Sequence, residues 1–362
     1  MVLSIAARDR FAPASLGARL GFIAAAGAVV LVLVFCDFVV NNRSLLAKDR
    51  VDWTTFGLIR PLTAFLAACL LVMGLQPSSS AARPPYGKQA PLLIGVAWIS
   101  AAILSMTAAI VIIRPELLNE TVREGQFLSI LTEVGFVVGL AGFGLAIWRS
   151  RHDRGRVLGI PVPAVFAAMF LACLLVLMEE MSWGQHWIGW TAGPMFEGNA
   201  QNETNLHNFA TYRFEAVYYS AAFLLFVLLP MFWPSDIPVL KSLERFVPPR
   251  LFALAGLPLA GFLYEEWNIV IYQVWFFMVL LISMKLAADL WRGPFRAAGL
   301  AVAVLLPVSQ LVFVFGGHRM VDGYELSEIR EFLIAVLIAA YAWWLVRNEA
   351  AGGRKSRPVV VS

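Results

Sequence analysis

The sequence predicts an all-α fold, a polytopic transmembrane bundle of about ten helices with both termini in the cytoplasm. Hydrophobic residues make up 60% of the 362-residue chain and charged residues 14%, against about 45–50% and about 25% in soluble globular domains. Largely uncharged stretches of about 20 residues recur, which is the length that an α-helix needs to cross a hydrocarbon core of about 30 Å. Basic residues collect in alternate loops, which is typical of the cytoplasmic side of a membrane protein.

Ten membrane segments follow from the apolar stretches. In chain order they cover residues 20–40, 56–75, 91–113, 127–148, 161–178, 216–234, 250–264, 268–290, 298–316 and 331–347. Pro61, Pro91 and Pro161 lie at or near the first turn of their helices, where the missing N–H costs no hydrogen bond. Residues 250–264 form the weakest segment because they are few and include two glycines and a proline. We predict a broken or re-entrant segment there, which protein or a water-filled cavity must cover.

The domain organisation is interpreted as a single integral membrane domain over residues 1–362. Residues 20–75 form a candidate two-helix unit, and residues 91–347 form the main bundle. Between them, residues 76–90 carry several prolines and serines, a composition that predicts a flexible cytoplasmic linker.

The orientation follows from the arginine-rich loop at 149–156 and the basic C-terminal tail, both of which we predict to be cytoplasmic. The other alternate loops then agree, which gives a multi-pass protein of a bacterial inner (cytoplasmic) membrane. One loop disagrees, because residues 41–55 fall outside and yet contain Arg43, Lys48 and Arg50. The net charge of +4 is explained by these loops and requires no nucleic-acid partner.

Candidate catalytic residues concentrate in residues 179–208, on the side predicted to be extracytoplasmic. They are Glu179, Glu180, His186, Glu203 and His207. Carboxylates and imidazoles near one membrane boundary suit acid–base chemistry or metal binding.

Local spacing predicts how these residues are arranged. If the helix continues through residue 190, Glu179 and His186 share a face with Ser182 at i, i+3 and i+7. Glu203 and His207 are spaced i, i+4, which places them side by side on a second helix. Asn199 and Asn202 are candidate caps of that helix.

A divalent metal is the candidate cofactor, with Glu203, His207 and His318 as its ligands. His318 belongs to a second polar region at 317–328, before the final helix. We expect the two regions to form one site, with His318 or Glu325 close to Glu203 or His207, because groups of one site must converge. Glu328 and Glu331 fall in the predicted first turn of the last helix, where the helix dipole favours them.

A sequence signature runs through the same stretch. It reads E-E-x-S-W-G-Q from Glu179 to Gln185 and N-x-x-x-E-x-N-x-H-N from Asn199 to Asn208. This signature resembles that of a group of uncharacterised bacterial multi-spanning membrane proteins. The resemblance implies that these positions act as one unit, and it implies no particular activity.

Three functions fit these observations. The first is a membrane enzyme that acts at the extracytoplasmic face on a membrane lipid or a lipid-linked substrate. The second is a transporter, to which a broken segment at 250–264 and Glu133 within the fourth segment would point. The third is a non-catalytic subunit or assembly factor that binds a membrane protein partner. Acids and tryptophans at helix ends are also common as solvated groups and as the aromatic belt.

Overall fold

The computed structural model describes residues 15–46, 48–76, 90–123, 125–196, 198–199, 203–234 and 237–352. It confirms the all-α transmembrane bundle. Within the described residues, nine helices are long and apolar enough to cross a membrane: Leu16–Val40, Thr55–Leu75, Ala90–Ile113, Phe127–Ser150, Val162–Glu180, Thr211–Phe232, Val270–Leu290, Arg296–Arg319 and Glu325–Asn348. They correspond to nine of the ten predicted segments, and the predicted linker lies mostly outside the described residues.

The helices are numbered in chain order. They are α1 (Leu16–Phe35), α2 (Thr55–Leu75), α3 (Ala90–Ile113), α4 (Glu116–Val122), α5 (Phe127–Ser150), α6 (Val162–Glu180), α7 (Gln185–Ile188), α8 (Thr211–Phe223), α9 (Leu229–Phe232), α10 (Arg250–Gly256), α11 (Val270–Leu290), α12 (Arg296–Gly316) and α13 (Glu325–Gly352). Short π-helices extend α1 over Cys36–Val40 and join α8 to α9 over Leu224–Leu228. A short antiparallel hairpin connects α5 to α6, and each of its strands, β1 (Arg156–Val157) and β2 (Ile160–Pro161), has two residues.

Helices α5 and α13 run in the same direction and pack closely. A Cβ atom added to Gly142 of α5 would lie 2.8 Å from the Cβ of Ala342, and one added to Gly135 would lie 3.0 Å from the Cβ of Ala335. Small residues allow this approach, which is how helices gain packing contacts in a membrane where burial from water supplies no driving force between them. The pairing brings the polar start of α13 next to the start of α5.

The remaining predicted segment, 250–264, crosses the bundle as an interrupted chain. Before it, Arg245 pairs with Asp153 at 3.0 Å, at the arginine-rich face. After it, the Glu265 carbonyl accepts a hydrogen bond of 2.9 Å from the Asp49 amide, at the opposite face. Helix α10, a 3-10 turn over Leu257–Ala260 and an irregular stretch over 261–264, in which Phe262 has a φ of +59°, lie between.

The backbone groups freed by this interruption are satisfied by side chains of later helices. The Gln310 side chain of α12 donates to the Leu263 carbonyl at 2.6 Å and accepts from the Leu263 amide at 3.1 Å. Arg330 of α13 donates to the Phe262 carbonyl at 3.3 Å. Residues 251–264 are all buried. Non-helical backbone at membrane depth is tolerated only under such cover, so the prediction of a broken segment is confirmed.

Two of the three basic residues of the loop at 41–55 have acidic partners. Arg43 pairs with Asp52 at 2.7 Å, and Lys48 pairs with Glu215 of α8 at 2.9 Å. These ion pairs explain how this loop can carry basic residues on the side that the remaining loops predict to be extracytoplasmic.

Reporter fusions test which face is cytoplasmic. Fusions after residues 155 and 243 should report cytoplasm, and fusions after residues 195 and 322 should report the outside, because arginines dominate the first pair of loops. An alkaline phosphatase and a fluorescent protein reporter at each site would measure this. A cytoplasmic signal at residue 195 would contradict the orientation.

Candidate functional site

A cavity of about 420 Å³ lies at the face that carries the candidate residues. Its walls come from the starts of α5, α8 and α13, the end of α6, and the loops at 48, 203–208 and 265. The lining residues are Lys48, Ser129, Thr132, Leu175, Val176, Glu179, Glu180, Glu203, Asn205, His207, Asn208, Thr211, Tyr212, Phe214, Glu215, Tyr218, Glu265, Tyr324, Ser327, Glu328 and Glu331.

The chain breaks sharply after α6. Ser182, Trp183 and Gly184 have φ angles of +45°, +56° and +90°, in the left-handed region. The predicted continuous helix through residue 190 is therefore wrong, and Glu179, Ser182 and His186 share no helical face. The side chain of His186 lies outside the described part of the chain. The break turns Ser182, which is fully buried, into the loop.

Glu203 is held by hydrogen bonds inside this loop. Its Oε2 accepts from the Ser182 hydroxyl at 2.8 Å, from the Asn205 amide at 2.7 Å and from the Asn208 amide at 3.3 Å. These hydrogen bonds fix the carboxylate to three residues of the loop. Glu203 therefore organises the loop, although part of it also lines the cavity.

Asn199 and Gln185 complete this arrangement. Asn199 donates to the carbonyls of Glu203 and Asn205 at 3.0 and 2.9 Å, and Gln185 accepts from the Thr204 amide at 2.6 Å. Asn199 does not cap a helix, so that prediction is wrong; Asn202 lies outside the described residues. The helical i, i+4 geometry predicted for Glu203 and His207 is also wrong, because a 3-10 helix begins only at His207.

His207 is paired with Glu179. Glu179 Oε2 accepts from the backbone amides of Leu206 and His207 at 2.7 and 3.0 Å, and it lies 3.5 Å from His207 Nδ1. Burial lowers the pKa of His207, and the neighbouring Glu179 and Glu203 only partly oppose this effect. The imidazole is therefore neutral at neutral pH and can accept a proton.

A buried charge cluster at the other side of the cavity was not singled out from the sequence. Lys48 Nζ lies 2.9 Å from Glu215, 3.4 Å from Glu266 and 3.0 Å from the Ser327 hydroxyl. Burial alone would lower the pKa of Lys48, but Glu266 and Glu215 outweigh it and raise the pKa. Lys48 is thus a fixed cation at the cavity wall.

Arg330 and Glu331 extend the cluster into α13. Arg330 is 1% exposed, pairs with Glu266, and lies over the rings of Tyr219 and Tyr272 at 4.5 and 5.4 Å. Glu331 accepts a hydrogen bond of 2.6 Å from the Tyr219 hydroxyl. Because α13 begins at Glu325, the prediction that Glu331 belongs to the first turn is wrong.

The two predicted regions meet, but through different residues from those expected. Tyr324, Ser327 and Glu328 of the second region line the cavity together with Glu179, Glu180, Glu203 and His207. His318 is exposed and is not a lining residue, and Glu325 instead accepts a hydrogen bond of 3.3 Å from the Asp322 amide.

The structure adds no geometric support for a metal centre. Among the described residues, no three or more His, Cys, Asp or Glu side chains are grouped as metal ligands. The ligand set Glu203, His207 and His318 stays a prediction from the sequence.

Comparison of the chain with protein-family models, with curated proteins and with solved structures gives no match.

Proposed function

We propose that this chain is an integral membrane enzyme that performs acid–base chemistry on a lipid or lipid-linked substrate at the extracytoplasmic face. The observation that carries the proposal is the pair of His207 and Glu179 at the wall of a cavity near the membrane boundary. A neutral imidazole with one nitrogen next to a carboxylate leaves its other nitrogen to accept a proton from a substrate.

Two lining residues support a lipid as the substrate. Leu175 of α6 is 53% exposed and Phe214 of α8 is 49% exposed. Both belong to helices that are long and apolar enough to span the membrane, and we assign their exposed surface to contact with acyl chains. The cavity is therefore bordered by lipid between α6 and α8 and by polar groups toward the water. A molecule with a polar head and an apolar chain matches both borders.

The remaining groups have roles that follow from their contacts. Glu179 orients His207 and stabilises its protonated form during the reaction. Lys48 holds Glu215 at the cavity wall and joins it to the buried pair of Glu266 and Arg330. Glu203 positions the loop that carries His207.

Replacing His207 by Ala tests the proposal. We expect the variant to lose at least about a hundredfold in turnover, the usual contribution of a general base, while its melting temperature in detergent stays near that of the wild type. Turnover is measured by mass spectrometry of total membrane lipids incubated with purified protein in liposomes. His318→Ala is the matched control, because that histidine is exposed and does not line the cavity.

The direction in which turnover changes with pH follows from the pKa of His207. Since burial lowers the pKa of His207, its unprotonated form persists below the usual histidine range, and turnover should fall only as the pH drops below that range. Full turnover in His207→Ala, or equal losses in His207→Ala and His318→Ala, would contradict the proposal.

Elemental analysis of the same preparation tests the predicted divalent metal.

A transporter is the second candidate function, and the interrupted crossing favours it. Broken helices at membrane depth form substrate sites in many transporters. Here, however, the freed backbone groups of Phe262 and Leu263 are bonded to Arg330 and Gln310. If the liposome experiment shows lipid or solute movement across the bilayer with no change in lipid composition, the transporter becomes the better interpretation.

A further inference from the structure

We infer that the cavity binds an ammonium group, presented as the head group of a membrane lipid. This inference rests on the proposed function and narrows its substrate class. Three features carry it: the carboxyl groups of the lining, the tyrosines of the lining, and the exposed apolar side chains of Leu175 and Phe214 between α6 and α8, here called the apolar border.

The cavity lining is rich in carboxyl groups. Seven carboxylates line it, from Glu179, Glu180, Glu203, Glu215, Glu265, Glu328 and Glu331. Among the described lining residues, Lys48 is the only lysine or arginine, and it is already paired with Glu215 and Glu266. A cation is attracted to such a lining, whereas a phosphate placed deep in it is repelled. The phosphate of a lipid would therefore stay at the rim, and an attached amine would enter.

The tyrosines of the lining provide a second, independent indication. The Tyr218 hydroxyl is buried and has no hydrogen-bond partner among the described residues. A buried polar group without a partner is costly, and an ammonium N–H directed at this oxygen would satisfy it. Tyr212, also in the lining, already has the Lys48 ammonium 5.7 Å from its ring centroid. Carboxylates and tyrosine rings together are the usual surroundings of a bound ammonium group.

The apolar border explains why the amine should come from a lipid. Leu175 lies one helical turn below Glu179 on α6, so an acyl chain at Leu175 and Phe214 places its head group beside the carboxylates. A cavity of about 420 Å³ accommodates a head group and leaves the acyl chains in the bilayer.

Binding measurements on the purified full-length chain test the inference. Three probes are added in detergent and followed by native mass spectrometry and thermal shift: phosphatidylethanolamine, phosphatidylglycerol and free ethanolamine. We expect phosphatidylethanolamine to bind preferentially. The double variant Glu180→Gln/Glu328→Gln should weaken it at least about tenfold, since hydrogen bonds to charged groups contribute that much. Glu116→Gln is the matched control, an exposed carboxylate on the same face outside the lining.

A blocking variant separates the two sources of the amine. Leu175→Trp should fill the apolar border and weaken phosphatidylethanolamine binding while free ethanolamine binding is unchanged. If ethanolamine binds as tightly as the lipid and Leu175→Trp affects neither, the lipid source is wrong. If phosphatidylglycerol binds equally well, or if removing the two carboxylates changes nothing, the ammonium site is wrong.

The inference and the proposed function can fail separately. His207→Ala should still bind phosphatidylethanolamine, because the imidazole is assigned to proton transfer and not to ammonium binding. If another lipid is turned over in a His207-dependent manner and phosphatidylethanolamine does not bind, the enzyme proposal stands and the ammonium inference falls.

Discussion

Replacing Arg330 by Met should destabilise the folded bundle by about 3–5 kcal/mol, the usual cost of leaving a buried charge without its partner. Arg330 is almost completely buried, pairs with Glu266, and donates to the Phe262 carbonyl of the interrupted crossing. Its loss leaves both acceptors short of a donor at membrane depth. Lys48, at 3.4 Å from Glu266, remains and moderates the effect.

Thermal unfolding in detergent measures this prediction. Arg114→Met is the control, because the side chain of Arg114 is 59% exposed and its pair with Glu116 lies at the surface. The double variant Arg330→Met/Glu266→Gln should recover part of the stability, since it removes the uncompensated charge. A melting temperature of Arg330→Met equal to that of Arg114→Met would contradict the structural role assigned to Arg330.

Replacing Glu203 by Ala should unfold the loop over the cavity and abolish function, with a local cost of about 1–3 kcal/mol for each buried donor left without an acceptor. The donors are the side chains of Ser182, Asn205 and Asn208. Faster hydrogen exchange of residues 203–209, or faster proteolysis there, would report the opening.

Glu203→Gln separates a positioning role from a catalytic one. The amide keeps an acceptor oxygen of the same size, so we expect the loop to stay closed and much of the turnover to remain. An inactive Glu203→Gln protein with a closed loop would instead make Glu203 a direct participant in the chemistry. Glu179→Gln, by contrast, should lower turnover even with the loop closed, because the charge of Glu179 acts on His207.

Membrane crossings were predictable because each depends on local composition. A helix that satisfies its own backbone hydrogen bonds and exposes apolar side chains needs little information from the rest of the chain. Most predicted boundaries therefore lie within a few residues of the observed ones, as for 127–148 against Phe127–Ser150. The start of the last helix was placed too late, because charged residues such as Arg330 and Glu331 look like loop residues until their partners are known.

The site was harder to predict because its geometry depends on long-range pairing. Glu179, Glu203 and His207, all from the stretch 179–208, line one cavity. Ser182 and Trp183 adopt left-handed backbone without being glycines, so the helical spacing used for Glu179 and His186 did not apply. The sequence marks Lys48 only as a basic residue in a loop that disagrees with the predicted orientation. Its partners Glu215 and Glu266 are distant in sequence, so the pairing is not visible there.

The interrupted crossing imposes an order of assembly on the chain. Residues 250–264 are synthesised before Gln310 and Arg330, the side chains that bond to their freed carbonyls and amide. A segment that cannot satisfy its own backbone gains little from entering lipid alone. Because α11 begins at the face opposite the arginine-rich loop, residues 250–264 must already cross when α11 is inserted, and we expect their freed groups to gain these partners only when α12 and α13 pack beside them. The crossing at 250–264 therefore completes its hydrogen bonds only after the two helices that follow α11 have been made.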